Sequence, residues 1–155
     1  MASKNSNQKA QPAVNPALLL DNQLCFALYS TSLAMTKIYK PLLAPLGLTY
    51  PQYLAMLALW EQDGIMVSEL GERLFLDSGT LTPLLKRLEA TGLIARLRDV
   101  ADERRVRVTL TSAGRRLKTK AAAIPGCVAS AAGCPLSDLA SLTQQVQALR
   151  VKLAA

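Results

Sequence analysis

The stretch from Ser68 to Leu110 constrains the fold more than any other part of the chain. Ser68 stands where an N-cap belongs, ahead of a short helical run, Glu69–Phe75, and Asp77 stands likewise ahead of a second, Ser78–Thr91. Gly92 follows in the place of a helix-ending glycine. Two capped helices on so short a connection predict a helix-turn-helix, with Pro83 bending the second helix near its start. The segments 93–98 and 105–110 then alternate apolar with basic or polar residues around the charged turn 99–104. Alternation around a polar turn predicts a β-hairpin, here with its basic residues on the solvent face of both strands. The expected fold class is mainly α with a small β-hairpin wing, a winged helix-turn-helix.

The second helix of this unit carries Ser78, Gly79, Thr80 and Thr82 toward its N-terminal end, and Lys86 and Arg87 further on. Small polar residues let a helix end approach a DNA major groove closely, and its free N–H groups suit phosphate. Leu81, Leu84, Leu85 and Leu88 are expected to face inward. The hairpin holds Arg96, Arg98, Arg104, Arg105 and Arg107. Arginine enters narrow minor grooves and contacts the phosphates along their walls. Asp102 and Glu103 in the same turn read as partners that orient the arginines. A formal net charge of +7 favours the same anionic class of partner. The predicted DNA contacts are Ser78, Thr80, Thr82, Lys86, Arg87, Arg96, Arg104 and Arg105, with Asp102 supporting the wing.

Around this core the chain divides into four expected segments. Residues 1–15 are polar and rich in Ser, Asn, Gln and Pro, and read as a disordered tail without the apolar core of a secretion signal. Residues 16–48 form a first dimerisation and sensor helix, with Asn15 as N-cap, Pro16 at the first position, helical periodicity from Ala17 to Leu43, and Pro41 and Pro45 disrupting its end. Residues 49–110 form the DNA-binding domain, beginning with a helix from Thr49-Tyr50-Pro51 to Trp60. Residues 111–155 supply C-terminal dimerisation helices. The first runs from Thr111 or Ser112 to about Ile124, a break follows at Pro125-Gly126 and another at Gly133-Cys134-Pro135, and the last helix is opened by Ser137-Asp138. Long amphipathic helices flanking a small core need a surface to cover them, and a second copy of the chain supplies one by two-fold symmetry. No apolar run approaches the ~18 residues of a membrane span, so a cytoplasmic protein without a membrane partner is expected.

Three cysteines and no histidine bound the chemistry. The odd cysteine count argues against a disulfide scaffold, three thiols fall short of a four-ligand zinc site, and the usual general base of hydrolases is missing. No cofactor and no enzyme activity are expected. Cys25 and Tyr29 lie four apart on a helix and share a face, with Tyr39 further along it and Tyr50 opening the next helix. Phenol hydroxyls can stabilise a thiolate and position a hydroperoxide oxygen, and Leu24, Phe26 and Leu28 favour organic over inorganic peroxide. Taken by itself, the same cysteine reads first as an inert core thiol.

The run from Asp77 to Glu89 (DSGTLTPLLKRLE), Gly92-Leu93-Ile94 and Asp102-Glu103-Arg104-Arg105 resembles the MarR family of winged-helix repressors. The runs from Leu24 to Tyr29 (LCFALY), Tyr39 to Leu43 (YKPLL) and Leu48 to Leu54 (LTYPQYL) are similar to its OhrR-type organic-hydroperoxide sensors. The likeness covers roughly residues 18–124. It implies a symmetric dimer on an inverted-repeat operator, half-sites one helical turn (roughly 34 Å) apart, released when an organic hydroperoxide oxidises the protein. It implies Cys25 as the reacting thiol and Tyr29, Tyr39 and Tyr50 as its surrounding pocket. It further implies, as in some members, an intersubunit disulfide to a C-terminal cysteine: Cys127, preferred here because a flexible break beside it would let it move, or Cys134. A repressor answering a small phenolic ligand, a thiol peroxidase, and a histone-like nonspecific DNA binder are the competing readings.

Overall fold

The computed structural model describes residues 13–155, so the tail expected over 1–15 falls mostly outside the described residues. The chain divides into two compact units, one ending at Met35 and the other running from Thr36 to Ala155, and the division falls within the first long helix. In the N-terminal unit, Asn15 caps as expected, its Oδ1 accepting the Ala17 N–H at 3.0 Å with Pro16 next in line. The continuous helix expected from Ala17 does not form. Two 3-10 turns, Pro16–Leu18 and Leu20–Asn22, come first, and α1 spans Leu24–Leu43. The reason is side-chain competition: Gln23 Nε2 donates to the carbonyls of Ala17 and Leu19, and Asn22 Nδ2 to that of Pro16. Acceptors that would take helical N–H groups are thereby used by amides of the following turn.

In the larger unit, Pro41 lies inside α1 near its end, where one missing backbone bond is tolerated, and does not disrupt it. A 3-10 turn, Ala44–Leu46, closes on Gly47 at φ 67°. Thr49 and Gln52 then form a reciprocal capping box that starts α2, Tyr50–Glu61: the Thr49 hydroxyl accepts the Gln52 N–H, and Gln52 Oε1 accepts the Thr49 N–H at 2.9 Å.

A two-residue strand, β1 (Ile65–Met66), runs directly into α3 (Val67–Leu74). Ser68 is therefore inside the helix and not its cap; Met66 occupies that position with no side-chain bond, because the strand fixes where the helix begins. The remaining elements are α4 (Ser78–Ala90), β2 (Ile94–Arg98), β3 (Val106–Leu110), α5 (Ser112–Ala121), α6 (Ile124–Ala132) and α7 (Leu136–Ala154). The three strands form an antiparallel sheet in the order β1-β3-β2, with Ile65 opposite Val108 and Ile94 opposite Leu110. Met56, Leu59, Ile65, Leu70, Leu81, Leu85, Leu88, Ile94 and Val108 are fully buried and knit α2, α3, α4 and the sheet into one core. Full burial of such side chains stabilises by roughly 1.5–3 kcal/mol each.

Thr111 caps α5, which stops at Ala121 and not at Ile124. Pro125 lies in the first turn of α6, where its missing N–H costs nothing, so the break falls at 122–123 and residues 125–127 are helical. Gly133 at φ 64° ends α6, and α7 follows with no buried residue.

Candidate nucleic-acid interface and thiol sites

Asp77 Oδ1 accepts the Thr80 N–H at 2.8 Å and starts α4 where the sequence places it. The four inward leucines of α4 are buried, while Ser78, Thr80, Lys86 and Arg87 are exposed and Thr82 is half-buried. The polar face of the second helix is thus presented outward, as expected.

The hairpin departs from expectation in one respect. Its register places Arg96 opposite Val108 and Arg98 opposite Val106, on the same face as the buried pair Ile94–Leu110, whereas Arg107 sits with Leu97 on the other face. The arginines therefore do not all lie on a solvent face. Arg96 Nε and Nη2 donate to Glu89 Oε2 at 3.0 and 2.8 Å, and the Arg96 amide donates to Glu89 Oε1 at 3.0 Å. These bonds, the guanidinium's first and the amide's second, hold the Glu89 carboxyl below its ordinary range. Arg107 donates to Asp99 Oδ2 at 2.9 Å and to the carbonyl of Gly64, tying the wing to the loop before β1. The Arg107 guanidinium, then the Ala101 amide, keeps Asp99 ionised well below the usual carboxylate range.

Asp102 accepts from the Arg104 amide at 3.1 Å and from its Nε at 3.3 Å. Glu103 acts through its carbonyl, which accepts from Arg98 Nη1 at 3.1 Å. Arg104, with its side chain 92% exposed, Arg105 and Arg98 are the exposed wing arginines. A cleft of about 750 Å³ lies between α3, α4 and the wing, with Leu81, Leu85, Arg96 and Arg105 among its walls. Glu89 and Asp99 were not among the site residues foreseen. Glu89 lies seven residues from its partner across a turn, and nothing local in the sequence announces the pairing.

The thiol residues fall in both units. In the N-terminal unit, Cys25 is exposed in the first turn of α1 and Tyr29 is exposed one turn on. In the larger unit, Tyr39 and Tyr50 meet with ring centroids 4.6 Å apart, and Tyr53 joins them at 5.7 and 6.5 Å. Burial, then the neighbouring phenols Tyr50 and Tyr53, push the Tyr39 phenol up to about 12; burial also raises Tyr50 and Tyr53. Tyr53 was not foreseen, although its spacing of three from Tyr50 on a helix was available as a signal.

Cys127 is exposed in the first turn of α6, its amide bonded to the Ala123 carbonyl at 3.2 Å, so the flexible break on which it was preferred is regular helix. Cys134 is exposed in the turn between α6 and α7, its Sγ 3.4 Å from the Ala132 carbonyl. Among the described residues no cluster of His, Cys, Asp or Glu could hold a metal ion, and no single helix is long and apolar enough to cross a membrane.

Comparison with known proteins places this architecture. Residues 37–121 match the family described as transcriptional regulator SarA/Rot. The chain is 59% identical over 109 residues to the organic hydroperoxide resistance transcriptional regulator of Bacillus subtilis, covering 70% of this chain and 74% of that one. It is 51% identical over 134 residues to the HTH-type transcriptional regulator TtmR of Methylorubrum extorquens, covering 86% of this chain and 69% of the relative. Among solved structures it is similar to AbfR of Staphylococcus epidermidis, at a TM-score of 0.72, 34% identity and coverage of 88% and 95% of the two chains. AbfR has been solved reduced and bound to DNA and also in a disulfide-formed state. A match over more than half its length, with relatives that are themselves named regulators and not enzymes, shows that this chain belongs to the SarA/Rot family of winged-helix, MarR-type transcriptional regulators.

Proposed function

We propose that this regulator is a redox-sensing repressor, bound to operator DNA when reduced and released when an organic hydroperoxide oxidises Cys25. The observation that carries the reading is the exposed Cys25 thiol one turn from Tyr29, in a chain so similar to a hydroperoxide-resistance regulator. The DNA-bound form of AbfR supports docking of α4 in a major groove, with Ser78, Thr80, Thr82, Lys86 and Arg87 facing it and Arg104 and Arg105 along the flanking phosphates. Two copies act together on an inverted repeat. The exposed apolar residues of α7, Leu136, Leu142, Val146, Val151 and Leu153, support pairing through the terminal helices, and sedimentation at micromolar concentration tests it.

The chemistry begins with the Cys25 thiolate attacking one peroxide oxygen. The O–O bond breaks, the alkoxide leaves and takes a proton to become the alcohol, and the sulfur, oxidised by two electrons, becomes a sulfenic acid. The thiolate of Cys127 or Cys134 from a second copy then attacks that sulfur. The S–O bond breaks, the departing hydroxide takes a proton from solvent to become water, and a disulfide links the copies. The phenol of Tyr29, one helical turn from Cys25, positions the peroxide and the thiolate by hydrogen bonding.

The test uses an operator selected from randomised duplexes by the reduced protein, with cumene hydroperoxide as probe. Wild type is expected to dissociate on stoichiometric oxidation, and Cys25→Ser to bind equally well and stay bound. A Cys25→Ser protein that still dissociates would replace this reading with one in which the inducer is not an oxidant of Cys25. Non-reducing gels assign the second thiol: a covalent dimer retained in Cys127→Ser identifies Cys134, and one retained in Cys134→Ser identifies Cys127.

A further inference from the structure

We infer that Glu89 and Arg96 form a positioning pair that sets the angle between the recognition helix α4 and the wing, and that Arg96 serves DNA binding through this brace and not by touching DNA. The inference rests on the DNA-binding reading above and adds to it which residues make two separate DNA-contacting elements act as one.

Glu89 lies in the last turn of α4 and Arg96 in the middle of β2. Between them stand only the α4 C-cap, the left-handed Gly92 at φ 76° and the start of the strand. One carboxylate takes three bonds from one residue: both oxygens are engaged, one by the guanidinium and one by the backbone amide. A guanidinium held by two of its nitrogens is oriented as well as attracted, and the amide bond adds a constraint on the strand itself. Arg96 leaves β2 on the core side, opposite buried Val108, and its side chain is 25% exposed. The exposed wing arginines, Arg98, Arg104 and Arg105, lie beyond it toward the tip of the hairpin. A hairpin pivoting at β2 would carry them away from the phosphates while α4 stayed in its groove. Arg107, bound to Asp99 and the Gly64 carbonyl, holds the opposite face of the hairpin to the β1 side. Among the side-chain hydrogen bonds and ion pairs of the described residues, the Glu89–Arg96 pair is the one that joins the wing to the recognition helix, over the apolar packing of Leu88 and Ile94.

Charge gives this inference a clean sign. Glu89→Gln removes a negative charge from a DNA-binding surface, so simple electrostatics predicts tighter binding. Loss of the brace predicts weaker binding with fewer phosphates neutralised. The experiment measures affinity of the reduced full-length protein for the selected operator by fluorescence anisotropy across 50–300 mM salt, with wild type, Glu89→Gln, Arg96→Lys and Arg96→Gln. Amide exchange of the Arg96 N–H in the free protein is read alongside.

All three variants are expected to bind roughly three- to tenfold more weakly, to lower the salt slope by about 1–2, and to exchange the Arg96 amide faster. Tighter or unchanged binding by Glu89→Gln overturns the inference. So does wild-type affinity and slope in Arg96→Lys with a loss in Arg96→Gln, because a lysine preserves a phosphate contact but not a two-nitrogen brace. A wild type that fails to prefer its selected operator over a scrambled duplex sinks the DNA-binding reading itself. Amide exchange still decides the brace in that case: an Arg96 amide exchanging equally in wild type and Glu89→Gln refutes it. Melting curves at one protein concentration identify any variant that has lost its fold, and the other substitutions at the pair then carry the decision.

Discussion

Gly114→Ala is expected to destabilise this protein out of proportion to the methyl group it adds. Gly114 lies in the first turn of α5, in ordinary helical conformation, so alanine there should favour the helix. Its surroundings reverse the sign. A Cβ at this position would stand 2.1 Å from the Leu93 carbonyl oxygen and 3.2 Å from Leu110 Cδ2. The first distance is about 0.9 Å inside the 3.0 Å below which real Cβ atoms are essentially never found.

The obstacle is backbone, and that backbone is engaged: the Leu93 carbonyl accepts the Thr111 N–H at 3.1 Å, the Gly114 carbonyl accepts Trp60 Nε1 at 2.9 Å, and the Thr111 hydroxyl donates to the Gly92 carbonyl at 2.6 Å. Relief must move α5 away from the start of β2 and strain all three bonds. Overpacking costs about 1–3 kcal/mol, and a rigid backbone obstacle places this case at the upper end, about 3 kcal/mol. At roughly 2–4 °C per kcal/mol for a chain of this size, the melting midpoint should fall by about 6–12 °C. Differential scanning calorimetry at one fixed protein concentration measures it. Gly126→Ala is the control: it is helical in α6 with nothing within 4 Å of its added Cβ, and it should gain about 0.4–1 kcal/mol. A Gly114→Ala protein melting within a degree of wild type would refute the steric argument.

Three further outcomes are expected. Asp77→Ala removes the cap of the recognition helix and should cost about 1 kcal/mol in thermal melting, with Asp77→Asn close to wild type. The tyrosine cluster predicts alkaline sensitivity. Tyr39 holds its proton more tightly folded than unfolded, so its contribution is complete below pH 10 and is lost as pH rises toward about 12; cluster phenolate absorbance at 295 nm should therefore appear together with unfolding, and a phenolate signal preceding loss of helical circular dichroism would contradict this. For Asp63, burial opposes ionisation, but the Leu110 amide at 2.8 Å and Arg115 at 2.9 Å outweigh it and depress the carboxyl. Its contribution is present above its ordinary value of 3.8 and lost as pH falls through the depressed one, so Asp63→Asn should be less stable at pH 7, by about 1 kcal/mol, and should flatten the acid limb of stability measured by urea unfolding.

The residues that could be read from sequence are those whose role is set within three or four positions of themselves. Asp77, Thr49 and Thr111 cap helices through N–H groups three residues ahead, and Leu81, Leu84, Leu85 and Leu88 turn inward by helical period alone. The helix-turn-helix and hairpin were legible for the same reason, and with them the winged-helix class. Ser68 misled because Met66 belongs to a strand whose existence depends on β3, more than forty residues away. The break expected at Pro125-Gly126 misled because both residues are compatible with the first turn of a helix as well as with a break.

What only the tertiary structure decided is which face each wing arginine takes and what it meets there. A slip of one residue in pairing would exchange the two faces of β2, and the alternating sequence is nearly indifferent to that exchange. The buried pairs Ile94–Leu110 and Ile65–Val108 settle the register, and with it the engagement of Arg96 by Glu89 and the escape of Arg104 into solvent. Likewise Tyr53 joins Tyr39 and Tyr50 because helix packing brings its ring to theirs, and Gly114 is required because α5 crosses the Leu93 carbonyl. Local sequence determined the DNA-reading elements; long-range packing determined how they are held together.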